Sequence, residues 1–557
     1  MPRRLAITIA GAVSLGSYEA GVLCEVLDAI RQHNSDAATT PDEKIVIDVL
    51  TGASAGGMTA IILAQKLLFS ADAFRGPYDN PLYDAWVQRI DLKGLQATQN
   101  GEPALHSIFS SDLIDQIARE ILLSRYSAVP VPPQQRHAAV GDEIRVGVAL
   151  TNLNGVAYGY PIKPSGQFTY IEYCDQLTRH VVASSCDNAA FWQPLTQAAV
   201  GSGAFPIAFR PPDIARSAQI EPDDYPPQNM LPWPGDPRLF TYSDGGVLQN
   251  QPLGMAKDLV DLVDCHEDQD SRYYLFVSPH DKDPQTTDGF HSDNADYFHL
   301  LSRLAGVATG QSGFQDWITA KGVNDKIALL DARAAGLAQA IERGEIDVDA
   351  LGKTATSILS LFFEGGSHLS PGATAPETLA AAQKRIGDQY SDLMKRLATK
   401  PGISEAFRDA VLAFETAAGL GARDHMTIYG VTAKDTELAG AGLQAFLGFF
   451  DQKFRDHDYD VGRQHARTVL CDPNLAQPGE IGPIRYTGSP IRPIDTRLNG
   501  LPLRLVPAAD RNAFKAGLRK RLNEALREMW GPVLSLPAIP GADFILDALI
   551  DRMISRL

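Results

Sequence analysis

The 557-residue chain holds 50 basic and 67 acidic residues, a net charge of −17, with 44% of residues apolar and 21% charged. Roughly two to four domains are expected at about 150 residues each, which excludes a single small module. The acidic balance argues against a nucleic-acid partner, since phosphate binding needs a basic footprint. Lipid is not excluded, because charge is screened over about 8 Å at physiological ionic strength and a local basic patch can dock an acidic protein.

No uninterrupted apolar run reaches about 18 residues, so a soluble globular chain is expected. The five cysteines (Cys24, Cys174, Cys186, Cys265, Cys471) are odd in number and never spaced C-x-x-C, which disfavours a disulfide framework or a zinc knuckle. A reducing, cytoplasmic setting is the simpler expectation. Met1-Pro2-Arg3-Arg4 followed by the apolar stretch Leu5 to Gly16 superficially matches a signal peptide, but the motifs below need this segment in the mature protein.

Leu5 to Ile9 is a short β-prone run, and Gly16-Ser17-Tyr18-Glu19-Ala20 opens an amphipathic helix reaching about Arg31. A second β-prone run, Ile45 to Leu50, leads into Thr51-Gly52-Ala53-Ser54-Ala55-Gly56-Gly57 and the helical stretch Met58 to Leu68. Strand, loop, helix repeated twice predicts a parallel α/β sheet. Ile144 to Leu150, the run around Phe240, and Tyr273 to Ser278 are further candidate strands. The Pro-rich segments Val129 to Pro133 and Pro206 to Pro237 are expected to be long surface loops. Helical periodicity dominates from about Asp293 to Phe414, so residues 1–300 are expected to form a catalytic domain and 301–557 a mainly helical extension. The β-prone run at 426–433 is placed to return a strand to the first sheet.

Three motifs carry chemistry. Gly52-Ala53-Ser54-Ala55-Gly56 fits G-x-S-x-G, in which small residues let a sharp strand-to-helix turn push the serine oxygen outward; a plain Gly-Ser-Gly turn is its bland rival. The helix that follows aims its positive end at Ser54, which suits a developing oxyanion. Gly11-Ala12-Val13-Ser14-Leu15-Gly16 presents successive amides at a loop-to-helix junction and suits an anion. A nucleotide site fits less well: the spacing is not G-x-G-x-x-G, and Gly352-Lys353-Thr354 has Asp347 where a phosphate-binding loop needs its first glycine. Asp244-Gly245-Gly246 sets an aspartate at a strand end with two glycines behind it, although taken alone a turn aspartate in a Gly-Gly hairpin is the better reading.

In that order the three motifs resemble the patatin-like phospholipase family of acyl hydrolases. Gly16 to Leu23, Ala204-Phe205-Pro206-Ile207-Ala208-Phe209-Arg210-Pro211, Asn250 and Pro252 extend the resemblance over about the first 280 residues. Phe450-Asp451, Arg455-Asp456-His457-Asp458-Tyr459 and Gly462-Arg463 look like a segment of larger bacterial patatin-related proteins. The resemblance implies a three-layer patatin-like α/β sheet flanked by helices, with an added mainly helical C-terminal part. It implies a Ser54–Asp244 dyad, oxyanion donors among Gly11, Ala12, Val13 and Ala55, motif support from Gly52, Gly56, Gly245 and Gly246, and no cofactor or metal. Phospholipid or another lipid ester is the implied substrate, with peripheral membrane contact a further expectation. A carboxylate of ordinary pKa, about 3.9, is a weak base at neutral pH unless burial raises it.

The family loop usually reads Gly-Gly-Gly-x-Arg/Lys-Gly, so this chain lacks two glycines and the cation. A β-branched Val13 is not expected to take positive φ easily, which puts the oxyanion donors in question. A general carboxylesterase acting on soluble esters and a catalytically weak lipid- or partner-binding protein stay open as alternatives. So does a Ser-Asp-His triad drawing on His266, His280, His291 or His299, although it leaves Asp244-Gly245-Gly246 unexplained. Asp456-His457-Asp458 and His280-Asp281-Lys282-Asp283 lack strict metal-ligand spacing. Phe514, Leu518, Leu522, Leu526 and Met529 line one face of a helix with Lys515, Arg519, Lys520, Arg521 and Arg527 elsewhere. That helix suits an anionic lipid surface or, more simply, packing on the protein, and Leu546 to Leu557 shares the ambiguity.

Overall fold

The computed structural model describes residues 2–97, 102–162, 166–225, 230–233, 235–263, 272–280, 291, 315–363, 366–368, 377–398, 402–420, 426–441, 445–477, 479–500 and 506–530. Strand β1 (Arg3–Ile9) is buried from Leu5 onward, as befits a strand covered on both faces. Helix α1 (Gly16–Ser35) carries the chain back to β2 (Ile45–Gly52), which pairs parallel to β1 with Ile9 opposite Gly52. The two strands therefore end level, and the loops that follow them leave the sheet side by side. Helix α2 (Ala55–Phe69) and, further on, α3 (Asp112–Leu123) precede β3 (Val140–Pro161), which pairs parallel to β2.

Where a single short strand was expected at Ile144 to Leu150, β3 runs for 22 residues and turns back into an equally unexpected β4 (Gln167–Val182), antiparallel to it. Helix α4 (Ala189–Ser202), β5 (Asp213–Arg216) and β6 (Arg238–Asp244) follow. β6 runs antiparallel to β3 and sets Asp244 opposite Leu150. The Pro206 to Pro237 stretch is thus not all loop. β5 pairs with β6, and Arg216 at its end is buried where its guanidinium donates to Glu221 (2.8 Å) and Asp224 (3.0 Å), so polar partners hold a strand that the prolines obscure.

Helix α5 (Leu253–Val263) and β7 (Arg272–Ser278) close the first pass. Helices α6 (Gln315–Glu342), α7 (Val348–Phe362), α8 (Leu379–Gln389), α9 (Ser391–Leu397) and α10 (Ile403–Ala417) come next. β8 (Ile428–Thr432) then pairs parallel to β7, giving the order β8-β7-β1-β2-β3-β6-β5, with β4 on β3. Helices α11 (Gln452–Leu470) and α12 (Ala508–Trp530) complete the described chain.

Two compact units result: Met1–Ala256 with Tyr273–Phe314 and Ile428–Leu557, and Lys257–Arg272 with Gln315–Thr427. The boundary expected at residue 300 is corrected accordingly, and residue 300 itself lies outside the described residues. Residues from 428 onward join the first unit because β8 extends its sheet and α11 packs along α1. A Cβ at Gly462 would sit 2.2 Å from the Tyr18 carbonyl oxygen, so only glycine allows the two helices to approach this closely. Arg463 and Arg467 of α11 donate to the buried Glu25 of α1, at 2.8 Å and 2.7 Å through their Nε atoms. The second unit has its own core, in which Ala338, Leu359, Ile386, Phe407 and Val411 meet. Among the described residues no helix is long and apolar enough to cross a membrane.

Candidate active site

The site begins at the elbow between β2 and α2. Ser54 adopts φ 54° and ψ −125°, a conformation that costs a non-glycine residue on the order of 1–3 kcal/mol. The surroundings hold it there. Its N–H donates to Ser202 Oγ (2.8 Å), whose own hydroxyl donates to the Ala149 carbonyl (2.9 Å), and its carbonyl accepts from Met58 N–H (3.2 Å). Ala53 N–H donates to the Ile9 carbonyl (3.2 Å). A Cβ at Gly52 would lie 2.2 Å from the Gly56 oxygen, and one at Gly56 would lie 2.4 Å from the oxygens of Ile9 and Ala10. Both glycines let β1, β2 and α2 converge beneath Ser54.

Asp244 ends β6, and the register of β6 on β3 delivers it to the elbow. Ser54 Oγ donates to Asp244 Oδ2 at 2.6 Å, while Gly246 N–H donates to Oδ1 at 2.7 Å. The backbone is fixed as well: Asp244 N–H donates to the Ala204 carbonyl (2.9 Å), and Thr151 Oγ1 donates to the Asp244 carbonyl (2.8 Å). A Cβ at Gly245 would sit 2.0 Å from the Ala149 oxygen, and one at Gly246 2.5 Å from Asn250 Oδ1, so this turn admits no side chain. Asp244 is 2% exposed. Burial pushes its carboxyl up to about 7, against the opposing pull of the Ser54 and Gly246 donors. A carboxyl that loses its proton near neutrality is matched to general-base work at physiological pH.

The loop after β1 lies against the serine, since a Cβ at Gly11 would be 3.1 Å from Ser54 Cβ. Two expectations are corrected here. Gly11 N–H is committed to the Asn250 carbonyl (3.0 Å) and is withdrawn from the oxyanion donors. Val13 does take positive φ, 52°, despite its β-branch. Ser14 is buried directly after it, donates to the Ala445 carbonyl and accepts from Gly448 N–H (3.2 Å). Buried Leu15 anchors the loop on the other side, so long-range contacts impose a geometry that glycines would otherwise supply. Among the described residues, the Ala12 and Val13 amides have no hydrogen-bond acceptor. Ala55 N–H opens α2, where the first amides of a helix lack a partner within it.

Other candidates fall elsewhere. No histidine among the described residues hydrogen-bonds to Ser54 or Asp244. His280 Nδ1 lies 3.6 Å from Asp435, and His266 and His299 are outside the described residues, as are Asp281, Lys282 and Asp283. Asp456, His457 and Asp458 serve separate partners: Asp456 accepts from Tyr83 (2.6 Å), His457 contacts the Glu437 carbonyl (3.1 Å), and Asp458 accepts the amides of Ala439 (2.7 Å) and Gly440 (2.9 Å). Among the described residues no cluster of acidic, histidine or cysteine side chains could hold a metal ion. On α12, Phe514 and Leu518 are buried and Arg521 donates to the carbonyls of Glu102, Pro103 and Ser107, so the helix packs on the protein. Leu526, Met529 and Arg527 have side chains outside the description, and Leu546 to Leu557 is outside it altogether. Ser202, Thr151 and Ser14 escaped the sequence reading. The small-residue run Gly201-Ser202-Gly203 just before the Ala204-Phe205-Pro206 motif was the one local signal for Ser202.

An α/β sheet whose central strand ends in a strained serine, hydrogen-bonded to a buried aspartate and followed by a helix, has the geometry of a G-x-S-x-G elbow. Residues 7–257 match the family model of patatin-like phospholipase, so that part of the chain is similar to patatin-like phospholipases. The chain is also similar, with 24% identity over 323 residues, to the uncharacterized protein y4iI of Sinorhizobium fredii. That alignment covers 45% of this chain and 45% of the relative, so the chain matches less than half of that protein's length.

Proposed function

We propose that the protein is a serine acyl hydrolase of phospholipase or lysophospholipase type, cleaving lipid acyl esters with Ser54 as nucleophile and Asp244 as base. The observation that carries this reading is the 2.6 Å hydrogen bond from Ser54 Oγ to a carboxyl that burial has raised to about 7. Ser54 Oγ attacks the ester carbonyl carbon while Asp244 takes its proton. The oxyanion forms against the amides of Ala12, Val13 and Ala55, next to the positive end of α2. Collapse breaks the ester C–O bond, the leaving alcohol takes the proton from Asp244, and an acyl-serine remains. Water, deprotonated by Asp244, then attacks the acyl-serine; the acyl C–O bond breaks, Ser54 Oγ takes the proton back from Asp244, and the fatty acid leaves.

The alternative of an idle lipid-binding protein rested on the altered loop. The positive φ of Val13 and the free amides of Ala12 and Val13 argue against that alternative. The test is fluorophosphonate labelling, with lipid products profiled by mass spectrometry. Labelling of the wild type that is abolished in Ser54→Ala, together with fatty acid release lost in both Ser54→Ala and Asp244→Asn, supports the reading. Lipid binding without labelling or product overturns it.

A further inference from the structure

The β3–β4 hairpin extends well beyond the sheet that positions Asp244. Leu150 is paired with both Asp244 and Asp175, and from Asp175 outward β4 continues through Tyr173, Ile171 and Phe168. At about 3.3 Å per residue, Phe168 lies some 23 Å further along the strand. This outer arm starts at the active-site loop, where Cys174 Sγ lies 3.8 Å from Gln249 Oε1. Large apolar side chains stand open to solvent on both of its faces, interspersed with Thr169 and Glu172. Phe168, on the face of Tyr170 and Cys174, is 57% exposed, and Ile171 and Tyr173, on the opposite face, are 53% and 45% exposed. Leu153, on β3 where the outer arm begins, is 50% exposed. A soluble surface rarely concentrates large apolar side chains in this way without a use for them.

Charge selects among the occupants. From Leu153 to Tyr173 the sequence holds one lysine and one glutamate, so the arm is neutral on a chain of net charge −17, and it carries four tyrosines and a phenylalanine. A neutral, aromatic-rich element suits the headgroup region of a zwitterionic bilayer, where tyrosine rings bury their bodies and keep their hydroxyls wet. An anionic surface would repel the rest of the molecule, and α12, the basic helix suited to such a surface, buries Phe514 and Leu518 on the protein.

We propose that the outer β3–β4 arm is the membrane-docking element, inserting Phe168, Ile171 and Tyr173 into a zwitterionic phospholipid surface and so bringing Ser54 to its substrate. The inference rests on the lipid-hydrolase reading of Ser54, yet it is separable from it, because docking is measured on protein that cannot turn over.

The experiment uses the full chain in a Ser54→Ala background with phosphatidylcholine vesicles. Flotation should show binding that falls at least tenfold in the Phe168→Ser/Ile171→Ser double variant, at an unchanged melting temperature. In a Phe168→Trp variant, tryptophan emission should shift to the blue when vesicles are added. In active protein the double variant should keep its rate on a short-chain soluble ester and lose hydrolysis of vesicle lipid. Vesicle binding unaffected by the double variant, no binding by the parent, or an emission from the Phe168→Trp variant that vesicles leave unshifted overturns the proposal. So does loss of soluble-ester activity in the double variant, or a dimer that the double variant dissociates, which would make the exposed β4 edge a self-association surface. Vesicle binding as described in a chain that hydrolyses no ester would leave docking standing and remove the hydrolase reading.

Discussion

Replacing Asp244 by asparagine keeps the shape of the side chain and removes its ability to ionise. Its Oδ1 can still accept from Gly246 N–H, while the new amide donates to Ser54 Oγ and leaves the serine proton without an acceptor. The folded-state pKa of Asp244 is raised from 3.8 to about 7. Stability from this group is therefore full below the unfolded value and is lost as pH rises toward the folded one. At about 1.36 kcal/mol per unit, keeping the carboxylate buried costs on the order of 4 kcal/mol at pH 8, as an upper bound. Asparagine does not incur that cost. Thermal unfolding of wild type and Asp244→Asn, followed from pH 4 to 9, should show a gap that opens between pH 4 and 7 in favour of the variant and stays constant above. Activity should move the other way. Wild-type kcat/KM on a soluble ester should rise about tenfold per pH unit below 7 and level off above, and the variant should be about 10²- to 10⁴-fold slower with no such rise. A melting-temperature gap that does not change with pH, or a wild-type rate level from pH 5 to 8, would refute the assignment of a buried, neutral-pKa base.

Val13→Gly should retain fluorophosphonate labelling and at least the wild-type rate, because glycine takes φ 52° without strain and the amide at position 13 stays in place; a tenfold loss in the labelling rate would mean the valine side chain, not the loop geometry, matters. Arg463→Ala should lower the melting temperature by several degrees, since it strips one of two arginines from the buried Glu25 carboxylate; Arg467 and Tyr486 still donate to it, so the loss should stay below the about 3–5 kcal/mol of a buried ion left unpaired. Calorimetry at pH 7 checks it, and an unchanged transition would show that Arg467 suffices. Glu19 is fully buried, its carboxyl oxygens have no hydrogen-bond partner among the described residues, and burial holds its carboxyl well above the usual range. Glu19→Gln should therefore be harmless at pH 6 and increasingly stabilising as pH rises, by the same sign as Asp244; a destabilised variant in thermal melts would point to a partner for the carboxylate.

The elements around the site differ in how visible they are along the chain. The Gly52 to Gly56 elbow, the β1–α1–β2–α2 succession and the Asp244-Gly245-Gly246 turn are legible because each depends on a few neighbouring residues: β-prone runs, small residues at a tight turn, and a helix that follows. β4 was missed because its outer half mixes apolar and polar side chains on both faces and so lacks the alternation that marks a half-buried strand. β5 was hidden by prolines and is held by Arg216, whose acidic partners lie five and eight residues away.

What the sequence determined by itself is the candidate nucleophile, its candidate base and the α/β frame that carries them, since local backbone chemistry writes these into short motifs. Only the tertiary structure decided the rest. It brought Asp244 within 2.6 Å of a serine 190 residues away, and it raised that carboxyl by excluding water. It committed the Gly11 amide to Asn250, forced Val13 to positive φ through Ser14 and the chain near Ala445, and returned residues 428–432 to the sheet. Desolvation and hydrogen bonds between distant segments depend on which surfaces meet, and that is settled by packing rather than by any stretch of sequence read alone.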